Sequence, residues 1–267
     1  MKKYISFFRI RFLTGLSYRA AAWSGVFTQF FWGIMLILSF HAFYQSDPDS
    51  FAMDFSALCS YIWIQQAFIS LFTLWRLDNS IFESIRSGDI AYELARPVGL
   101  YESWLSKDIA ACTSSAFLRC IPIFLISALL PAPYGLTLPS SSLAGVLFLL
   151  SIMLSILVVS SFRMLLYITT FHTLNPSGIR VVAVSLCDFL SGQIIPLPFF
   201  PDRLRAAVEL SPFAAMQSSP FFIYNGTYTN EKALLMIALQ LFWATALILL
   251  GKLWLSHSLR RVVVQGG

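Results

Sequence analysis

The chain has 267 residues, of which 57% are hydrophobic, 16% aromatic and only 12% charged, with a mean hydropathy of +0.73 and a formal net charge of +5. Soluble domains carry about 25% charged residues, so a water-soluble globule is excluded and lipid is the expected solvent. The length suits a single transmembrane domain over 1–267 with short loops and no large soluble part, and the basic excess, placed at the ends of apolar runs, speaks for a membrane surface and against nucleic acid.

A span takes about 20 mainly apolar residues at 1.5 Å each. The runs 20–44, 55–77, 109–130, 143–170, 179–195 and 233–254 qualify, the fifth being short. Runs this continuous are helices, because membrane strands would alternate over about ten residues. The expected fold class is therefore an all-α integral membrane protein, a bundle of six transmembrane helices.

Ahead of the first span, MKKYISFFRIRFLTG is basic but lacks the short apolar core and small-residue cleavage site of a signal peptide. Ile5, Phe8, Phe12 and Leu16 fall on one helical stripe with Arg9 close beside it. An interfacial helix and a simple extension of the first span both fit.

Charge sets the orientation. Lys2, Lys3, Arg9, Arg11 and Arg19 precede span one; Arg76, Arg86, Arg96 and Lys107 follow span two; Arg180 follows span four; Lys252, Arg260 and Arg261 end the chain. The loop QSDPDSFAMD after span one carries aspartates and no Lys or Arg, and PAPYGLTLPSS carries no charge. Both termini and the loop after span two are expected in the cytoplasm.

That loop, Asp78–Trp104, is the most polar passage of the chain. Ser80-Ile-Phe-Glu83 has the form of a capping box. Gly88 suits a left-handed helix end, Asp89 suits the cap of a second turn over Ile90–Ala95, and Pro97 and Gly99 end it. One or two short helices follow, with Ile81, Phe82, Ile85, Ile90 and Leu94 as their apolar side. Such a knob fits a cleft on another protein; a solvated connector is the plain alternative.

Within the spans, Arg119, Arg163 and Asp188 are ionisable. Arg119 and Asp188 lie roughly 12–15 Å from the cytoplasmic ends. Charge in lipid faces the bundle interior and finds a partner, so Asp188 is expected to pair with Arg119 or Arg163, as a structural ion pair or along a substrate pathway. After span five, Gly192, Pro196, Pro198, Pro201 and Pro212 break the chain near the outer surface. Leu204, Ala207, Val208 and Leu210 form one side of a short helix, and Phe213, Phe221, Phe222 and Tyr224 an interfacial aromatic belt. A re-entrant or interfacial helical pair forming an outer gate, or a loop resting on headgroups, would look like this.

Cys59, Cys112, Cys120 and Cys187 sit inside apolar runs and read as small hydrophobes. There is no GxxxxGK[ST], HExxH or GxSxG, and His41, His172 and His257 are far apart, so no nucleotide, metal or nucleophile constellation shows. An integral-membrane enzyme acting on lipid or glycan would need convergent acids or histidines at one interface; a non-transporting scaffold or sensor would need none.

With an N-in order, six spans, Arg86-Ser-Gly-Asp-Ile90 followed by Leu94-Ala-Arg-Pro97, Ser191-Gly-Gln-Ile-Ile-Pro-Leu197, Leu210-Ser-Pro-Phe213 and Gln265-Gly-Gly267, the chain resembles the membrane subunit of bacterial ABC type-2 exporters. The resemblance implies a non-enzymatic permease in the bacterial inner membrane. It implies a cytoplasmic ABC ATPase as partner, which binds ATP and Mg so that this chain holds no cofactor, and a second permease, identical or related. It places the ATPase-coupling helix in the loop, with Ile81, Phe82, Glu83, Ile85, Arg86, Gly88, Asp89, Leu94, Arg96 and Pro97 as its residues.

Overall fold

The structure, a computed structural model, describes residues 2–49, 51–173 and 176–260, so the expectations on Arg261 and on Gln265, Gly266 and Gly267 fall outside it. Every regular element among the described residues is helical: α1 (Lys2–Ser17), α2 (Arg19–Ser46), α3 (Phe55–Phe72), α4 (Asn79–Ser87), α5 (Ile90–Leu94), α6 (Leu100–Ala128), α7 (Ser142–Thr169), α8 (Ser177–Leu190), a 3-10 turn (Leu197–Phe199), α9 (Asp202–Glu209), α10 (Pro212–Met216), α11 (Ser218–Tyr224) and α12 (Asn230–Leu259). Five of them, α2, α3, α6, α7 and α12, are long and apolar enough to cross a membrane.

Three expected boundaries are corrected. The second span ends at Phe72, not at 77, where Thr73 turns extended. The third begins at Leu100, not at 109, because Leu100, Tyr101 and Trp104 give the polar stretch after Pro97 a buried face. The fifth is the 14-residue α8, about 21 Å long. It stops at Leu190 because Gly192 takes a φ of 85°.

Aromatic and polar contacts fix the helix directions. Tyr44 of α2 stacks on Phe55 while Phe30 stacks on Trp63, so α2 and α3 are antiparallel. Trp63 donates to the Tyr134 carbonyl just beyond α6, and Phe68 packs on Phe124 within it, so α3 and α6 are antiparallel. Helices α7 and α12 run in the same direction: Ser151 bonds Gln240, and His172, just past α7, bonds Ser258. The chain between them must therefore return from one end of the bundle to the other. Helix α8 begins this return, with Arg180 donating to the Trp75 carbonyl (2.7 Å), and Phe199 completes it against Phe51 and Phe40.

The segment then folds back inward. Gln240, fully buried, donates to the Ala215 carbonyl at 2.9 Å and to Ser155 Oγ at 2.9 Å, while Ser151 donates to its side-chain oxygen. These bonds hold α10 against the middle of α7 and α12. Each such bond contributes about 0.6 kcal/mol on average in a membrane interior. Helix α11 climbs out again until the Tyr224 carbonyl accepts from Ser140 and its hydroxyl donates to the Thr137 carbonyl. The aromatic belt expected here is corrected: Phe221 and Phe222 are inside the bundle, packed on Tyr61. The stripe expected on α9 is corrected too, since only Val208 is buried and Leu210 is exposed.

Helix α1 lies along the first half of α6. The Tyr4 hydroxyl accepts from the Gly99 amide and its carbonyl accepts from Ser106 Oγ, Lys107 sits over the Phe7 ring, and Gly15 meets Ser114. The face turned inward is thus Tyr4, Phe7, Arg11 and Gly15, and Ile5 of the expected stripe is exposed.

Candidate functional site

The polar loop folds as α4, a glycine turn and α5. Its cap differs from the expected capping box. Asp78, not Ser80, is the N-cap: its carboxylate accepts from the Ser80 amide at 3.0 Å and from Ser80 Oγ at 2.7 Å. A carboxylate accepts from the free amides as a hydroxyl does and also meets the positive helix end. Gly88 closes α4 with φ 86°, as the sequence leads one to expect. Asp89 opens α5 without capping it; its carboxylate accepts from Ser87 Oγ instead.

Burial divides the loop residues in two. Ile81, Phe82 and Ile90 are 6%, 7% and 1% exposed, with Ile85 packed at their edge. These apolar residues face their own bundle, where Phe82 lies 5.0 Å from the Tyr167 ring. Glu83, Arg86, Gly88, Asp89, Leu94, Arg96 and Pro97 are exposed. Tyr92, which sequence reasoning passed over, is 74% exposed. The loop thus presents a charged crest bearing one aromatic ring, and its apolar side is already occupied.

Four side chains tie this loop to four helices. Arg11 of α1 holds Asp78 at 3.0 Å. Tyr167 of α7 accepts from the Asp78 amide at 2.7 Å. Trp104 of α6 donates to Glu93 at 2.9 Å. Arg180 of α8 donates to Asn79 at 3.2 Å. The loop is thus joined to all four elements by polar contacts.

Directly behind the loop sits Arg163, fully buried. It donates to Asp108 (2.9 Å), to the Cys112 sulfur (2.7 Å) and to the carbonyls of Leu71 (2.9 Å) and Thr73 (2.7 Å). Carbonyls at a helix end lack intrahelical partners and carry negative dipole charge, so Arg163 ties the end of α3 to α6 and α7. The expected pairing of Asp188 with Arg119 or Arg163 is therefore corrected. Arg163 is committed to Asp108. Asp188 is half-buried near the far end of α8, and among the described residues no cation lies within ion-pair distance of it. Cys112 is likewise more than a small hydrophobe. Asp108 escaped notice because it stands beside Lys107, just ahead of the apolar run; its i,i+4 spacing to Cys112, and that of Arg163 to Tyr167, were the available signals.

At the other end, the break after α8 is lined by side chains that satisfy its backbone. The Ser191 carbonyl accepts from Ser218 Oγ (2.6 Å), that of Gly192 from the Tyr61 hydroxyl (3.0 Å) and that of Gln193 from Gln65 (2.8 Å). Non-helical backbone at membrane depth survives only where protein covers it, and α3 and α11 do so here. Pro196 leads into the 3-10 turn that holds Pro198, Pro201 precedes α9, and Pro212 opens α10 behind the Ser211 cap. Near the start of α12, Glu209 pairs with Lys232 at 2.9 Å. Beside them burial, and then the Glu209 carboxylate, push the Tyr228 phenol well above its ordinary range.

No group of His, Cys, Asp and Glu that could hold a metal occurs among the described residues. A family model described as an ABC-2 family transporter protein matches residues 30–266. No curated protein matches the chain.

Proposed function

The chain belongs to the ABC-2 family of transporter proteins, and on that footing we propose that it is the permease through which a small molecule, peptide or lipid is exported across a bacterial inner membrane, driven by a separate ATPase. It is a multi-pass membrane subunit of an ABC transporter and works with an ABC ATPase. In our reading the crest of α4 and α5 is where that ATPase docks. The observation that carries this is the division of the loop: the apolar side is spent on Tyr167 and the bundle core, while Glu83, Arg86, Tyr92 and Arg96 stand free toward water.

The chain makes six crossings with both termini in the cytoplasm. Two observations support this. The shared direction of α7 and α12 calls for one more traverse, supplied by α8 and the stretch to Phe199. The basic residues also gather at the loop end, where Lys3 donates to the Pro97 carbonyl and Lys252 pairs with Glu102 at 2.7 Å. A second permease, identical or related, completes the pathway, and ATP and Mg belong to the ATPase. The α10–α11 hairpin, pinned by Gln240, serves as the outer gate around the break at Gly192.

Reversing the charge of Glu83, Asp89 and Arg96 together is expected to lower ATPase co-purification at least tenfold, since rim charges across an interface act cooperatively on encounter and register. The bundle should keep its unfolding midpoint, because all three are exposed. Undiminished co-purification would rule out docking on this crest.

A further inference from the structure

We propose that the chain carries a phosphate-binding site in a cavity of about 410 Å³ between α1, α2 and α6, lined by Arg11, Arg76 and Arg119 together with Tyr18, Ser114 and Ser115. None of the residues lining it is acidic. Its volume falls in the range of small-ligand sites, about 300–1,000 Å³.

The charges in it are unbalanced. Arg11 is met by Asp78 on one side, but Arg76 and Arg119 form no ion pair among the described residues. The Arg119 Nε is buried and makes no hydrogen bond. Arg76 lines the same cavity. Arg119, half-buried in α6 with its Nε unpartnered and a second guanidinium facing the same cavity, is costly there unless an anion joins it. The planar donor forks of both arginines match phosphate oxygens, and the neighbouring hydroxyls add further donors.

The backbone makes room for this arrangement. A Cβ at Gly25 would lie 2.6 Å from the Arg119 Cζ, so only a glycine lets α2 pass while Arg119 holds this position. An arginine on α6 also points back toward that helix's N-terminus, which brings the guanidinium toward Arg76 and the loop end. On α2, Trp23 and Phe27 are 64% and 67% exposed, an apolar surface of the kind acyl chains cover. Basic pockets between transmembrane helices hold lipid phosphates by this chemistry. Facing the cytoplasmic leaflet rests on the orientation proposed above; the anion chemistry does not.

The test is the thermal unfolding midpoint of the full-length chain in neutral detergent, titrated separately with phosphatidylglycerol, phosphatidylcholine and pyrophosphate. It needs neither ATPase nor transport, so it can fail while the permease reading stands, and the reverse. Wild type should show a saturable rise with an anionic phosphate ligand and none with phosphatidylcholine. Arg119→Gln and Arg76→Gln should each raise the half-saturating concentration about tenfold or more, as expected for losing a charge-assisted bond. Among the described residues neither arginine has an ion-pair or hydrogen-bond partner to orphan, so both variants should keep the ligand-free midpoint; if Arg119→Gln fails to fold, the exposed Arg76→Gln carries the test. A response to phosphatidylglycerol that the variants lose identifies a lipid headgroup. A response to pyrophosphate alone, lost in the same variants, identifies a soluble phosphate ligand at the same site. Titrations unchanged by both substitutions, or an equal response to phosphatidylcholine, overturn the proposal.

Discussion

Replacing Asp108 by alanine is expected to destabilise the chain by about 3–5 kcal/mol, because it leaves the fully buried Arg163 without its counter-charge. Arg163 would keep only the Leu71 and Thr73 carbonyls and the Cys112 sulfur, none of which carries a full negative charge. Asp108→Asn retains an acceptor and should cost less, about 1–3 kcal/mol. The double replacement Asp108→Leu with Arg163→Met should recover much of the loss, since removing both charges avoids burying either alone. Unfolding of the three variants in detergent checks the ranking. A double variant no better than Asp108→Ala would mean that the ion pair is not the source of the effect. Loss of the tie between α3, α6 and α7 should also loosen the base on which α4 stands, through Tyr167 one helical turn from Arg163.

Substituting Gly192 by alanine should cost about 1–2 kcal/mol from backbone conformation alone, because φ is 85° there. The added Cβ would also meet Ser218 Oγ at 2.5 Å and the Tyr61 hydroxyl at 2.7 Å, two of the groups that satisfy this turn. Overpacking adds about 1–3 kcal/mol. Gly178→Ala is the control: its Cβ would meet nothing within 4 Å, and it should be neutral or slightly stabilising. Unfolding midpoints of both variants, alongside transport by reconstituted complex, separate a general glycine effect from one specific to the break. Equal stability of the two variants would contradict the role given to Gly192.

What could be read in the sequence follows from the kind of signal involved. Long apolar runs gave α2, α7 and α12 nearly in full, because in lipid a helix is the only way to satisfy backbone over that length. Polar punctuation gave the short helices of the loop and the turn at Gly88. The face of the loop could not be read, because Ile81, Phe82 and Ile90 suit a partner's groove and the protein's own bundle equally well; only Tyr167 and Trp104, far along the chain, decide between them. Arg163 was recognised as needing a partner, but Asp188 looked the better one because it lies inside an apolar run, whereas Asp108 sits at the polar edge of another. The re-entrant pair of α10 and α11 was one of the readings the prolines allowed, but its aromatic residues read as an interfacial belt until Gln240 and Ser155 are seen to hold Ala215 at depth. The cavity around Arg119 depends on Gly25 and Gly15 facing α6, a matter of helix packing that no local pattern encodes.

Photo-crosslinking from the loop, in the assembled complex, addresses docking most directly. A photoreactive residue placed at Glu83, Arg86 or Tyr92, all exposed on the crest, is expected to join the chain covalently to its ATPase. The same residue at Leu138, exposed at the opposite end of the bundle, is expected to give no such product. ATPase adducts from the crest positions alone are the predicted result. Their absence at all three crest positions in an intact, ATP-hydrolysing complex would contradict the assignment of this loop as the docking element.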